Sequence, residues 1–129
     1  MPSENQSKNW NELPKIYRRK AESALFYFER RCKERENKGE HSCTAYACEL
    51  DYSGDTECRP IEFDTQKDAD IVRDLILEDL KARNLFYCEA KVYKMGPYYP
   101  NKEILGVVNV RDKSSPYYKY QIQISVSWK

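Results

Sequence analysis

Glycine is scarce in this chain, with four residues in 129, and none has the spacing of a phosphate-cradling loop or a dinucleotide fingerprint. Histidine occurs once, as His41, which excludes an H-E-x-x-H metal site, and no G-x-S-x-G nucleophile elbow is present. No apolar run approaches the ~20 residues that a membrane span needs. The polar start Met1-Pro2-Ser3-Glu4-Asn5-Gln6-Ser7 lacks the hydrophobic stretch of a signal peptide. An excess of one charge is missing too, since 22 basic residues face 21 acidic ones, an unusual balance for a general nucleic-acid or membrane-surface binder. These absences lead to the expectation of a soluble, intracellular protein with no membrane contact.

Charge is unevenly spread all the same. Residues 1–40 carry a balance of +3, residues 41–84 of −6 and residues 85–129 of +4, so two basic ends flank an acidic middle. Five cysteines, Cys32, Cys43, Cys48, Cys58 and Cys88, form an odd set, and in a reducing compartment they are expected to remain thiols.

What is present is pattern. From Tyr118 to Trp128, Tyr118, Tyr120, Ile122, Ile124, Val126 and Trp128 alternate with Lys119, Gln121, Gln123, Ser125 and Ser127. That period of two predicts a strand with one buried and one wet face, and it places Trp128 in the core. Leu13, Ile16, Tyr17, Ala21, Ala24, Leu25, Phe28 and Cys32 recur at helical spacing and predict a helix from about Asn11 to Asn37, closed by Gly39. Thr65 and Asp68 stand in a capping relationship that opens a second helix, with Ala69, Val72, Leu75, Ile76 and Leu80 as its apolar stripe. Further strands are predicted over Cys43 to Tyr52, with Thr44, Tyr46, Cys48, Leu50 and Tyr52 on one inward face, over Phe86 to Tyr93 with a break at Gly96-Pro97, and over Ile104 to Val110. The order α-β-α-β-β-β predicts an α+β domain: a four-stranded, mainly antiparallel sheet ending in a meander, with two helices on one face. Residues 1–10 read as a polar N-terminal tail and residues 11–129 as one domain.

No catalytic residue, cofactor site or metal site is assigned. His41, Cys43, Cys48 and Cys58 lie close in sequence, but no C-x-x-C pair is present, and strand parity sends Cys43 and Cys48 to opposite faces. His41 and Cys43 alone do not make a nucleophile and base, because nothing beside them orients either group. Arg18, Arg19, Arg30 and Arg31 on the first helix are the candidates for phosphate contact. Interleaved acids such as Glu29 and Glu34 also fit an ordinary solvated helix. Eleven tyrosines are the other unusual feature. Tyr46, Tyr118 and Tyr120 have inward parity, whereas Tyr87, Tyr93, Tyr98, Tyr99 and Tyr117 should be wholly or partly exposed. With Trp10 in the tail, these five are the candidate partner-binding residues, since tyrosine brings apolar area and a hydroxyl at low entropic cost.

The run Asn37-Lys38-Gly39-Glu40-His41-Ser42-Cys43, the helix leading into Asn84-Leu85-Phe86, and the closing Ile122-Gln123-Ile124-Ser125-Val126-Ser127-Trp128 together resemble small α+β proteins of phages and large DNA viruses. The resemblance implies no activity and carries no catalytic residue across. It implies a non-enzymatic structural or protein-interaction protein, either a virion component or a virus–host interaction factor, whose partner is another protein within a large assembly. The alternative is a nucleic-acid-binding protein that uses the basic first helix and the open sheet face.

Overall fold

The computed structural model of the protein describes residues 14–50, 58–104, 107–111 and 114–129. Two helices, α1 (Lys15–Asn37) and α2 (Gln66–Lys81), accompany strands β1 (Ser42–Tyr46), β2 (Cys48–Leu50), β3 (Cys58–Pro60), β4 (Tyr87–Tyr98), β5 (Asn101–Ile104), β6 (Val107–Arg111) and β7 (Tyr117–Ser127). The α+β layering is as expected. Among the described residues no helix is long and apolar enough to cross a membrane.

The alternating C-terminal run is the central strand. β7 pairs antiparallel with β1 on one side and β4 on the other, and Ile122, Ile124 and Val126 are buried under the helices. Full burial of one such side chain contributes roughly 1.5 to 3 kcal/mol. Ala21, Ala24, Leu25 and Phe28 of α1 and Ala69, Val72, Leu75, Ile76 and Leu80 of α2 join them in the core, with Ile61 and Phe63 from the segment before α2. The helix ends obey local chemistry. Thr65 accepts a hydrogen bond from the Asp68 N–H at 3.2 Å, and Gly39, at φ +82°, closes α1 while Glu40 N–H donates to the Arg35 carbonyl at 2.9 Å.

The sheet differs from expectation in strand number and order. It has three strands, β1-β7-β4, with separate two-stranded ribbons β2-β3 and β5-β6. The expected meander is not formed because β1 and β4 occupy both edges of β7, and β6 pairs with β5 instead. The predicted strand over Cys43 to Tyr52 divides at Ala47, whose N–H donates to the Ile122 carbonyl at 2.7 Å; its last two positions, Asp51 and Tyr52, lie outside the described residues. Past the β2-β3 ribbon, Phe63 bridges to Tyr120, so the chain returns to β7 just beyond the end of β1. β4 does not break at Gly96-Pro97. It runs on to Tyr98 through a one-residue irregularity after Met95.

Several inward assignments change as well. Cys43 and Ala45 pair with Val126 and Ile124 on the core face, leaving Thr44 and Tyr46 on the open one. The small residues sit inward beneath the C-terminal half of α1, where Cys43 lies against Cys32 and close packing favours small side chains over a tyrosine ring. Cys43 and Cys48, expected on opposite faces, are both buried because the chain turns at Ala47. Ile16 at 60 %, Phe86 at 75 % and Tyr118 at 36 % exposure lie outside the core. Trp128 is half-buried, packed against the edge of the core.

Candidate interaction surface

Pairing across antiparallel strands puts partners on the same face, so the register defines the surface opposite the helices. Tyr87, Glu89, Lys91 and Tyr93 of β4 stand beside Ser127, Ser125, Gln123 and Gln121 of β7. The irregularity after Met95 restores the register so that Tyr98 pairs with Tyr117, which brings Tyr98 to the same face. Tyr46 joins from β1 beside Gln123. At 3.3 Å per residue the face runs for about 35 Å from Tyr87 to Tyr98.

Its side chains are ordered against one another. The Tyr98 and Tyr117 rings lie 5.6 Å apart, and Tyr46 meets Tyr93 edge-on at 6.4 Å. The Tyr93 hydroxyl donates to Gln123 Oε1 at 3.4 Å, and the Thr44 and Ser125 hydroxyls share a hydrogen bond at 3.0 Å. Charges on the face are paired. Lys91 Nζ lies 2.8 Å from Glu89 Oε1, and Lys119 bonds Asp64. The Asp64 hydrogen bond holds the Lys119 ammonium above its ordinary pKa, and the same bond holds the Asp64 carboxyl below its own. The result is an aromatic, amide-rich and locally neutral surface.

Of the sequence-predicted partner residues, the structure gathers Tyr87, Tyr93, Tyr98 and Tyr117 on this face, 37 to 48 % exposed. Tyr99 is half-buried just past the end of β4, and Trp10 lies outside the described residues. Tyr46 belongs with the group and its inward assignment hid it.

The basic residues do not form one surface. Arg19 and Arg30 are exposed, and at 3.6 residues per turn they share a stripe to within about 20°. Exposed Phe26 lies between them, with the Arg30 guanidinium 5.9 Å from its ring. Arg18 is half-buried, its Nε without a hydrogen-bond partner. Arg31 turns to the other flank, where it lines a small polar hollow with Glu34, Arg35, Lys38 and Thr44. The outer stripe of α1 also points away from the sheet. The basic helix and the open sheet face therefore lie on opposite sides of the molecule.

A cleft that no sequence pattern announced opens between α1, the end of α2 and the last residues of the chain. Its volume is about 380 Å³, and Leu25, Phe28, Cys32, Leu80, Leu85 and Trp128 line it. Arg83 closes one side through ion pairs with Glu29 and Asp79, the latter at 2.7 Å. Burial, together with the neighbouring Cys43 thiol, pushes the Cys32 pKa up to about 12, which leaves that thiol protonated and a poor nucleophile at neutral pH. Three elements distant in sequence build this hollow, so no local signal marks it. Among the described residues no cluster of His, Cys, Asp and Glu side chains is arranged to hold a metal ion.

No family model matches the chain, and neither a curated protein nor a solved structure shows significant similarity to it.

Proposed function

We propose that the protein is a non-enzymatic structural or interaction module that docks another protein on the open face of its sheet, as a virion component or host-interaction factor would. The observation that carries this reading is the gathering of Tyr87, Tyr93, Tyr98 and Tyr117 on one exposed, charge-paired face. Tyrosine is enriched at protein interfaces while unpaired charge is depleted from their centres. Nucleic acid would call for a surplus of positive charge there, and the lysines of this face are matched by Glu89 and Asp64.

The test compares the purified chain with the same chain in extract from its own cells or particles. Tyrosines 93, 98 and 117 should be protected from radical labelling in the extract and labelled in isolation. A Tyr93→Ser, Tyr98→Ser double variant should leave the native assembly while keeping the parental melting curve. Equal labelling in both states would sink the reading. An assembly that nuclease or moderate salt disperses, and that charge reversal at Arg19 and Arg30 abolishes, would assign the function to nucleic acid instead.

A further inference from the structure

Among the described residues, the outer edge of β4 carries backbone groups with no backbone partner. The Trp128 N–H donates to the His41 carbonyl and the Ala47 N–H to the Ile122 carbonyl, so the even residues of β7 serve β1 and its odd residues serve β4. The groups of Tyr87, Glu89, Lys91 and Tyr93 therefore turn toward β7. Those of Cys88, Ala90 and Val92 turn outward, where they meet no backbone partner among the described residues. Exposed edges are normally blunted by inward charges, bulges or proline. Here such features begin only at Lys94 and the Gly96-Pro97 irregularity, leaving Tyr87 to Tyr93 open.

We infer that a second copy of this chain occupies that edge, pairing β4 with β4 antiparallel about a two-fold axis at Ala90. The inference rests on the reading of the protein as an interaction module and names one of its partners. Charge complementarity selects the occupant and the register. The strand reads Tyr87, Cys88, Glu89, Ala90, Lys91, Val92, Tyr93, which is self-complementary when reversed on itself. Glu89 then faces the partner's Lys91 and Lys91 the partner's Glu89, while Tyr87 faces the partner's Tyr93. Moving the axis by one residue either way sets Lys91 against the partner's Lys91, or Glu89 against the partner's Glu89, and like charges opposed across strands repel. The outward groups also fall correctly. Ala90 meets the partner's Ala90 and Cys88 the partner's Val92 as hydrogen-bonded pairs, for about six new backbone bonds. Two three-stranded sheets become one six-stranded sheet, and the two tyrosine faces become continuous. Such an interface is isologous and closes as a dimer.

Sedimentation equilibrium of the full chain should show a reversible dimer. Lys91→Glu or Glu89→Lys alone should weaken dimerisation about tenfold or more, because each single reversal opposes like charges twice per interface. The double variant Glu89→Lys, Lys91→Glu should restore it. Val92→Cys should give a covalent dimer through the partner's Cys88 on mild oxidation with diamide, since the Cα separation of a hydrogen-bonded pair, about 5.5 Å, suits a disulfide. Adding Cys88→Ser should abolish that link. A chain that stays monomeric, a dimer indifferent to both single reversals, or a Val92→Cys link that survives Cys88→Ser would each overturn the inference. Amides of Cys88, Ala90 and Val92 protected from exchange only in the native assembly of a monomeric chain would give the edge to a different protein, also overturning it. Protection of Tyr98 and Tyr117 in extract, outside the paired Tyr87–Tyr93 stretch, reports separately on the interaction reading, so the two can fail independently.

Discussion

Tyr17 of α1 donates its hydroxyl to Asp68 Oδ1 of α2 across 2.6 Å, joining residues 51 positions apart. The bond pins the start of one helix to the first turn of the other, whose N-cap is Thr65.

Tyr17→Phe should lower the melting temperature without changing helix content. The Asp68 hydrogen bond, with burial and the carboxylate charge, holds the Tyr17 pKa above its ordinary value of 10.0. A folded pKa above the unfolded one gives stability that is whole below the unfolded pKa and is lost as pH rises through the folded one. The advantage of the parent over the Phe variant should accordingly shrink in alkaline solution above pH 10. Denaturation curves at a series of pH values that stay equally separated into strong alkali would contradict the assignment.

Ile124 is fully buried at the centre of the middle strand. Ile124→Ala should cost about 2 to 5 kcal/mol in urea unfolding, from lost burial and the cavity left behind. Trp128→Ala should cost less, because that side chain is half-buried and borders an existing cleft. A reversed ranking would mean that the indole, and not the isoleucine pair, anchors the sheet to the helices.

Gly96 has φ +126°, and a Cβ there would lie 3.1 Å from Tyr118 Cδ1 and 3.2 Å from both the Tyr117 carbonyl and Tyr98 Cδ2. Gly96→Ala combines an unfavourable backbone region with contact against backbone that has little freedom to retreat, costing on the order of 1 to 3 kcal/mol. The damage should centre on the Tyr98–Tyr117 pair. Loss of NMR contacts between those rings, with the Ile124 region unchanged, would be the expected signature; an unperturbed spectrum would argue against the tight approach.

Cys32 should resist alkylation in the folded protein. With its pKa at about 12, almost no thiolate is present near pH 8, and the half-buried position slows attack further. Iodoacetamide labelling followed by peptide mapping should find Cys32 modified only after unfolding. Rapid native labelling at neutral pH would show that the thiol is neither buried nor paired with Cys43 as described.

Much of the fold was legible locally. Strict alternation from Tyr118 to Trp128 defines a half-buried strand, and the apolar stripes of α1 and α2 each define one buried helix face, because a period in sequence maps directly onto a face in space. The Thr65 cap and the left-handed Gly39 were also readable, since both involve neighbours a few residues apart. For the candidate surface, parity alone separated Tyr87 and Tyr93 from the inward Cys88, Ala90 and Val92.

Tertiary structure decided the rest. Whether β7 takes β4 or β6 as its neighbour is a choice between long-range partners, and a short turn before β7 made the wrong one look economical. Tyr46 was misplaced because large apolar residues attract the inward assignment, whereas the closeness of α1 to β1 reserves that side for Cys43 and Ala45. Tyr98 reaches the face of Tyr93 only through the irregularity after Met95, which resets parity in mid-strand. The sequence by itself determined the two helices, the strands that became β1, β4, β6 and β7, and most of their buried stripes, because those follow from local periodicity; the short ribbon strands β3 and β5 carry no such period. Strand neighbours, the collected tyrosine face and the bare edge of β4 depend on which distant segments compete for the same hydrogen-bonding groups, and only the folded chain settles that competition.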